Sequence, residues 1–525
     1  MSSMTRRQFA QLPAAAAALA QNFPQPAPQP INIAQRRELF VDRHLIDRLS
    51  GSATLRLHHP QPCEIALVHD APWEGTGSGY HSIFQDGGLY RMYYKAYHID
   101  ISSGKMRADS HPGFCCYAES DDGIHWRKPN LNLHDFRGSK ANNIVLASGP
   151  MGKANLDAAH PAVFKDANPA APAHARYKAT VRSDDKKAHG LIALQSPDGF
   201  HWSPMSESPV ITNGAFDSQN LAFWDPATNQ YRAYWRAFTG GVTNGETWKP
   251  EGLRAIRTGT SPDFLHWKQS DDLRYVDSPA EQLYTNQVKP YHRAPHLLIG
   301  FPTRYLERDT HPSLEALPEP DHRQQRSTAS RRYGTAITEA LLMASRDGVL
   351  FHRWNEAFLR PGAERPGTWN YGHQYIGWHL VETKSNLPGA PNELSLYASE
   401  SYWTGDSSEV RRYSLRLDGF VSVNAGYNGG DLLTRALRFD GGNLNLNFAT
   451  SAAGAVRVEL QDLQGRPLPG FSAAECDELF GDTVGRTVTW NGSADVSKLA
   501  NTPIKIRFVL KDADLYAYQF TGAAK

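Results

Sequence analysis

Ser120-Asp121-Asp122-Gly123-Ile124-His125-Trp126 is the stretch on which the architecture turns. It returns as Ser196-Pro197-Asp198-Gly199-Phe200-His201-Trp202, and as Ser261-Pro262-Asp263-Phe264-Leu265-His266-Trp267 with the glycine replaced. Ser345-Arg346-Asp347-Gly348, with Trp354 a little later, is a fourth copy, and Leu417-Asp418-Gly419-Phe420 a degenerate fifth. The aspartates recur at intervals of 76, 65, 84 and 71 residues. Asp-Gly between apolar runs marks a hairpin, because a tight turn needs positive φ. The runs before the first four copies, Phe114 to Glu119, Leu191 to Gln195, Leu253 to Thr258 and Ala340 to Ala344, have strand composition.

Upstream of each turn lies a second hairpin. His81-Ser82-Ile83-Phe84 turns at Asp86-Gly87-Gly88 into Tyr90 to Tyr94, and Ala162-Val163-Phe164 turns into Tyr177 to Thr180. Leu221 to Trp224 turns at Asp225-Pro226 into Tyr231 to Trp235. Val288 and Tyr291 lead into Leu297 to Phe301, and Tyr375 to Trp378 leads into Leu394 to Tyr397. Two hairpins per repeat make a four-stranded unit, and five units make a five-bladed propeller. The segment from Leu39 to Leu57 is expected to complete the last blade. After about Phe420, alternating strands such as Val456 to Leu460 and Ile504 to Leu510 predict a β-sandwich. The fold class is therefore all-β: a propeller over 38–420 and a C-terminal sandwich over 421–525. Leu306 to Arg332, charged and without periodicity, reads as a surface excursion placed to overhang the funnel.

The amino terminus reads as an address. Thr5-Arg6-Arg7-Gln8-Phe9, an alanine-rich run and Ala18-Leu19-Ala20 suit a twin-arginine signal over 1–20, hence a periplasmic or secreted protein, with a linker over 21–37. Lys plus Arg number 55 and Asp plus Glu 54; without Arg6 and Arg7 the balance is −1. That disfavours nucleic acid as a partner and suits a largely uncharged ligand. No apolar run of about 18 residues exists, so no membrane insertion is expected. Cys63, Cys115, Cys116 and Cys476 form no disulfide framework, and no cysteine–histidine spacing resembles a zinc site. The oligomeric state is left open.

The chain resembles the five-bladed propeller glycoside hydrolases, the group that includes invertases, arabinanases and arabinofuranosidases. The resemblance rests on the repeated hairpins and covers roughly 38–420. The Ser-x-Asp-Gly-x-x-Trp turn is similar to the sialidase Asp-box but one residue shorter, which makes it a fold marker. Leu39-Phe40-Val41-Asp42 further resembles the start of a set of exported bacterial propellers. The resemblance implies a funnel lined by the first strand of each blade, with acids near the starts of those strands in the first three blades. Glycoside hydrolysis needs one carboxyl to protonate the leaving oxygen and another as base or nucleophile.

Acids at blade entrances are Glu74 in blade one, Asp157 in blade two, Asp217 in blade three and Glu281 in blade four; blade five has none. Blade one begins Tyr80-His81 where the family has aspartate, and blade three offers Asp where the family has Glu. The expectation is Glu281 or Glu74 as acid and Asp217 as base or transition-state stabiliser. Trp73, Tyr80, His81, His160, Gln219, Asn220, Tyr284, Asn286, Gln287, Tyr371 and His373 are the expected carbohydrate-binding residues, with Trp369 near the same rim. No cofactor or metal is assigned. Ligation of a metal by His81, His160 and His373 is a lesser alternative, and a non-catalytic sugar-binding propeller is the rival reading.

Overall fold

A computed structural model of the chain describes residues 29–108, 110–185, 188–244 and 247–522. The expected signal segment, 1–20, lies outside the described residues. The chain folds as five blades around an axis, followed by a bent sheet that closes on its own core.

Blade one runs Gly79–Asp86, Leu89–Ala96, Phe114–Ser120 and Ile144–Ala147. Blade two is built on Ala154–Lys165, Tyr177–Ser183 and Leu191–Ser196. Blade three is Leu221–Asp225, Gln230–Thr243, Trp248–Ser261 and Lys268–Asp272. Blade four contains Lys289–Tyr291, Ala294–Gly300, Met343–Ser345 and Leu350–Arg353. Blade five contains Val381–Thr383, Glu393–Glu400 and Glu409–Arg416.

The repeated motif is the turn before the outer strand, and its chemistry is the same each time. Ser196 Oγ donates to Asp198 Oδ1 and accepts from the Gly199 N–H; the same Oδ1 accepts from the N–H groups of Phe200 and His201. Ser120/Asp122, Ser261/Asp263 and Ser345/Asp347 repeat the serine–aspartate bond and the two backbone bonds. Side-chain oxygens thus satisfy the turn's orphan donors. Gly199 adopts φ 86°, and Phe264, which replaces it in the third copy, is forced to 72°. The degenerate fifth copy differs: Asp418 is buried and receives Tyr291, Arg293 and Asn447 instead.

The ring is closed by a segment other than the one expected. Gln61–Val68 pairs antiparallel with Glu409–Arg416 as the outer strand of blade five. Ile46–Gly51 and Thr54–Leu57 instead pair with Gly430–Thr434 and Val421–Ala425 in the sandwich. Ile31–Ala34, inside the expected linker, pairs in parallel with Leu437–Phe439. The sandwich is therefore discontinuous in sequence, built on the long bulged strands Asn443–Gln461 and Lys505–Thr521. The Leu39-Phe40-Val41-Asp42 segment is the stitch between the two units. Alternate side chains point to opposite faces, so Leu39 and Val41 enter a blade core while Phe40 enters the sandwich core. Asp42 then pairs with Arg346 of the fourth turn at 2.7 Å.

The same alternation separates Cys115 from Cys116, which face different blade interfaces; all four cysteines are free. Among the described residues no helix is long and apolar enough to cross a membrane.

The excursion between blade-four strands forms short helices, Pro312–Glu315, Pro320–Ala329 and Arg331–Thr335. Two buried arginines hold it down without a carboxylate acceptor. Arg323 donates to the carbonyls of Thr368 and Trp369, and Arg326 to those of Tyr371 and Tyr402. Burial, together with the neighbouring Arg323 charge, lowers the Arg326 pKa to about 9. Arg326→Leu would leave two buried carbonyls unpaired, at a cost of about 1–3 kcal/mol. The expected outcome is a lower melting temperature and new protease cleavage within 308–335 while the blades stay folded. Limited proteolysis with mass mapping checks it, and an unchanged digest would remove the clamp role.

Candidate active site

The entrance ends of the blades enclose a cavity of about 520 Å³, lined by residues that include Tyr80, Asp157, His160, Asp217, Tyr284 and Tyr371. That volume lies within the usual range for small-ligand sites. Arg332 and Tyr333, from the clamped excursion, also line it. The excursion therefore reaches the funnel mouth.

Asp157 and His160 share the first strand of blade two, Ala154–Lys165, whose register breaks between Asp157 and Ala162. The irregularity re-aims the intervening residues, as bulges do, and places His160 on the cavity wall. His160 Nδ1 lies 2.7 Å from Asp157 Oδ2, and its Nε2 lies 3.3 Å from Asp217 Oδ1. One imidazole thus bridges acids from two blades. Asp217, in the loop before the first strand of blade three, is 57% exposed, and that exposure is to the cavity.

Both carboxyls are held well below the ordinary carboxylate range. For Asp217, burial pushes upward but the hydrogen bond from His160 and the Arg236 charge outweigh it. For Asp157, burial is likewise outweighed by the charge and hydrogen bond of His160 and by Arg182. Arg182 Nε is 3.0 Å from Asp157, and an Arg236 guanidinium nitrogen is 3.7 Å from Asp217.

Arg182 and Arg236 were not among the expected residues, and neither was Lys95, which also lines the cavity. All three sit near the cavity end of the second strand of a blade, where Gly79 faces Lys95 and Asp157 faces Arg182. The signal was present as a basic residue following an apolar run in blades one to three: Tyr93-Tyr94-Lys95, Thr180-Val181-Arg182 and Tyr234-Trp235-Arg236.

The other two acids stand elsewhere. Glu74 is buried, accepting from the Tyr94 hydroxyl at 2.5 Å, the Lys128 ammonium at 2.6 Å and the Ala71 N–H at 2.9 Å. Burial raises its pKa, with Lys128 and Tyr94 opposing. It anchors its own loop and does not line the cavity. Glu281 is held by Arg353 at 2.9 Å and Arg304 at 3.1 Å, also away from the cavity. Distant basic partners have drawn both acids into ion pairs.

The three histidines do not converge. His81 Nε2 lies 3.1 Å from His69 Nε2, and burial lowers the His81 pKa to about 3. His373 accepts the Trp369 N–H at its Nδ1, with its pKa also lowered to about 3 by burial. Among the described residues, no group of three His, Cys, Asp or Glu side chains could hold a metal ion.

Gln219, Asn220, Asn286 and Gln287 are structural rather than cavity-facing. Gln219 Nε2 donates to the carbonyls of Tyr80 and Pro161, and its Oε1 accepts from Gln287, which also donates to the Ile376 carbonyl. This axial network holds Tyr80 at φ 52°, a left-handed geometry costly for a bulky residue. Asn220 Nδ2 donates to the Phe216 and Ser218 carbonyls, and Asn286 Oδ1 accepts the Val288 N–H. Trp73 donates to Asn143 and packs on Phe136, and Trp369 donates to the Gly362 carbonyl; neither lines the cavity. Tyr80, Tyr284 and Tyr371 do line it, joined by Tyr402 and Trp403. The aromatic rim is thus assembled from blades one, four and five.

No family model and no curated protein matches the chain. Solved structures similar to it include a thermostable family-43 glycoside hydrolase, at 12% identity over 66% of this chain and 92% of that one, with a TM-score of 0.38. A fructofuranosidase from Schwanniomyces occidentalis complexed with fructosylnystose is 11% identical over 88% of this chain and 96% of that one, with a TM-score of 0.35. An N-acetylgalactosamine deacetylase from F. plautii in complex with blood group B trisaccharide is 13% identical over 69% and 94%, with a TM-score of 0.40. A fold by itself selects no reaction. What the chain's own sheets establish is an all-β propeller: five blades around an axis.

Proposed function

We propose that the protein is an exported enzyme that hydrolyses a glycosidic bond of a short glycan in the funnel cavity. The observation that carries the reading is Asp217: a carboxylate kept ionised, open to the cavity, and backed by the His160–Asp157 pair. Tyrosine and tryptophan faces around it suit sugar rings.

The division of roles departs from a pair of free carboxyls. Asp217 and Asp157 are both ionised, so neither starts as a proton donor. Asp217 acts as base or as stabiliser of positive charge developing at the anomeric carbon. His160, within reach of Asp217, carries the proton for the leaving oxygen. Asp157 is a positioning residue: it orients the imidazole through Nδ1, in the manner of an acid behind a catalytic histidine. His160, with Arg236 beside Asp217 and Arg182 beside Asp157, keeps the two acids ionised.

A hydrolysis screen of the purified protein against aryl glycosides and oligosaccharides tests the reading. Turnover is expected, and His160→Ala is expected to cut it by about 10²–10⁴-fold. Sugar binding without any turnover would instead support a non-catalytic binding propeller. Export through the twin-arginine route belongs to the same proposal and rests on Arg6-Arg7 and Ala18-Leu19-Ala20; cell fractionation is its check.

A further inference from the structure

The charges around the cavity are unevenly partnered. Its three aspartates are each matched: Asp157 by Arg182 and His160, Asp184 by Arg182 at 3.9 Å, and Asp217 by His160 and Arg236. Two cations on the same walls, Lys95 and Arg332, are not. Among the described residues no carboxylate lies within 4.0 Å of either.

Lys95 is the sharper case, because the residue is only 6% exposed. Its ammonium sits over the rings of Tyr97 at 4.9 Å, Tyr80 at 5.1 Å and Tyr402 at 5.9 Å. Arg332 lies against the ring and hydroxyl of Tyr333. Taking an ammonium out of water is costly unless an opposite charge meets it. Aromatic faces return only part of that cost. Asp217 and Asp157 are near enough to favour the charge but beyond contact, and each already holds an arginine. Among the described residues no carboxylate meets this ammonium in contact, so a place for an anion from outside the chain is left at the cavity wall.

We infer that the substrate is an acidic sugar, and that Lys95, with Arg332, receives its anionic substituent, a uronate carboxylate or a sulfate ester. This rests on the carbohydrate reading of the site and reverses what the near-zero net charge suggests, since a balanced total conceals two cavity cations that no described carboxylate meets. An anion brought to Lys95 makes a charge-assisted hydrogen bond where little water competes. A neutral sugar leaves the ammonium desolvated and unpaired.

The test compares matched probes by equilibrium binding to the full protein. Oligogalacturonides are set beside their carboxyl-reduced counterparts, and sulfated galactan oligosaccharides beside their desulfated ones. The acidic member of one pair should bind about tenfold tighter or more, an advantage that added salt weakens. The pair that shows it identifies the anion. Lys95→Met should abolish most of that discrimination, and Lys95→Arg should restore part of it. Should Lys95→Met fail to fold, the wild-type pairs and their salt dependence still decide. Equal or tighter binding of the neutral members in both pairs, discrimination that survives in a folded Lys95→Met, or no binding of any acidic probe would each overturn the inference. Acidic sugars bound without turnover would sustain it while removing the hydrolase reading; turnover confined to neutral glycans would do the reverse.

Discussion

Asp217→Asn is expected to lower turnover on any confirmed substrate by about 10²–10⁴-fold, the usual effect of removing a positioned acid or base. The amide keeps the shape of the carboxylate, and its oxygen can still accept from His160. It cannot take a proton, and it carries no charge to oppose a developing cation. The fold should survive. Arg236 retains its bond to the Ala215 carbonyl at 2.9 Å and its place over the Tyr284 ring at 4.9 Å. The pH profile adds a second readout. A carboxyl whose pKa is depressed in the folded protein stays ionised above that value and is lost only as pH falls through it. The acid limb due to Asp217 therefore lies below the ordinary carboxylate range and should vanish in the asparagine variant. Steady-state kinetics beside a thermal melt check both statements, and wild-type rates in a folded variant would remove Asp217 from the chemistry.

The largest stability effect is expected at Trp378. The residue is fully buried and stands where the blades meet. Its N–H donates to the His81 carbonyl and its carbonyl accepts from Ile83, both in blade one. Its ring lies against Phe164 of blade two at 6.1 Å and Phe223 of blade three at 6.5 Å. Its indole N–H donates to the Val288 carbonyl at the entry to blade four, at 3.0 Å. One residue of the fifth blade thus touches the other four. Trp378→Ala removes the shared filler, leaves a cavity and orphans a buried carbonyl, for a loss of about 3–5 kcal/mol. Urea unfolding should show the midpoint falling with the slope unchanged. A loss below about 1 kcal/mol would show that the blades hold together without this hub.

The propeller could be read from the linear sequence because its marker is local. Each turn is closed by Ser and Asp side chains bonding to N–H groups no more than three residues away, so the pattern survives as spacing. The sandwich strands were visible for a related reason, since alternation along one strand reports a half-buried face. Ring closure was not visible. Gln61–Val68 and Leu39–Leu57 are both strand-like, and what separates them is their partners: Arg412, for instance, meets Glu64 across 348 residues. The candidate site divides the same way. Residue type and position brought out Asp157, His160 and Asp217 as entrance residues. Glu74 and Glu281 satisfied the same criterion and belong to other networks, because Lys128 reaches one and Arg304 and Arg353 the other.

Blade number and the places of the repeated turns followed from the sequence without any structure, because each turn depends on side chains acting on backbone a few residues away. Which entrance acids face the cavity, which cations stand unpaired there and which segment closes the ring were decided by the tertiary fold. Burial and ion pairing are set by neighbours through space, and a propeller draws those neighbours from every blade.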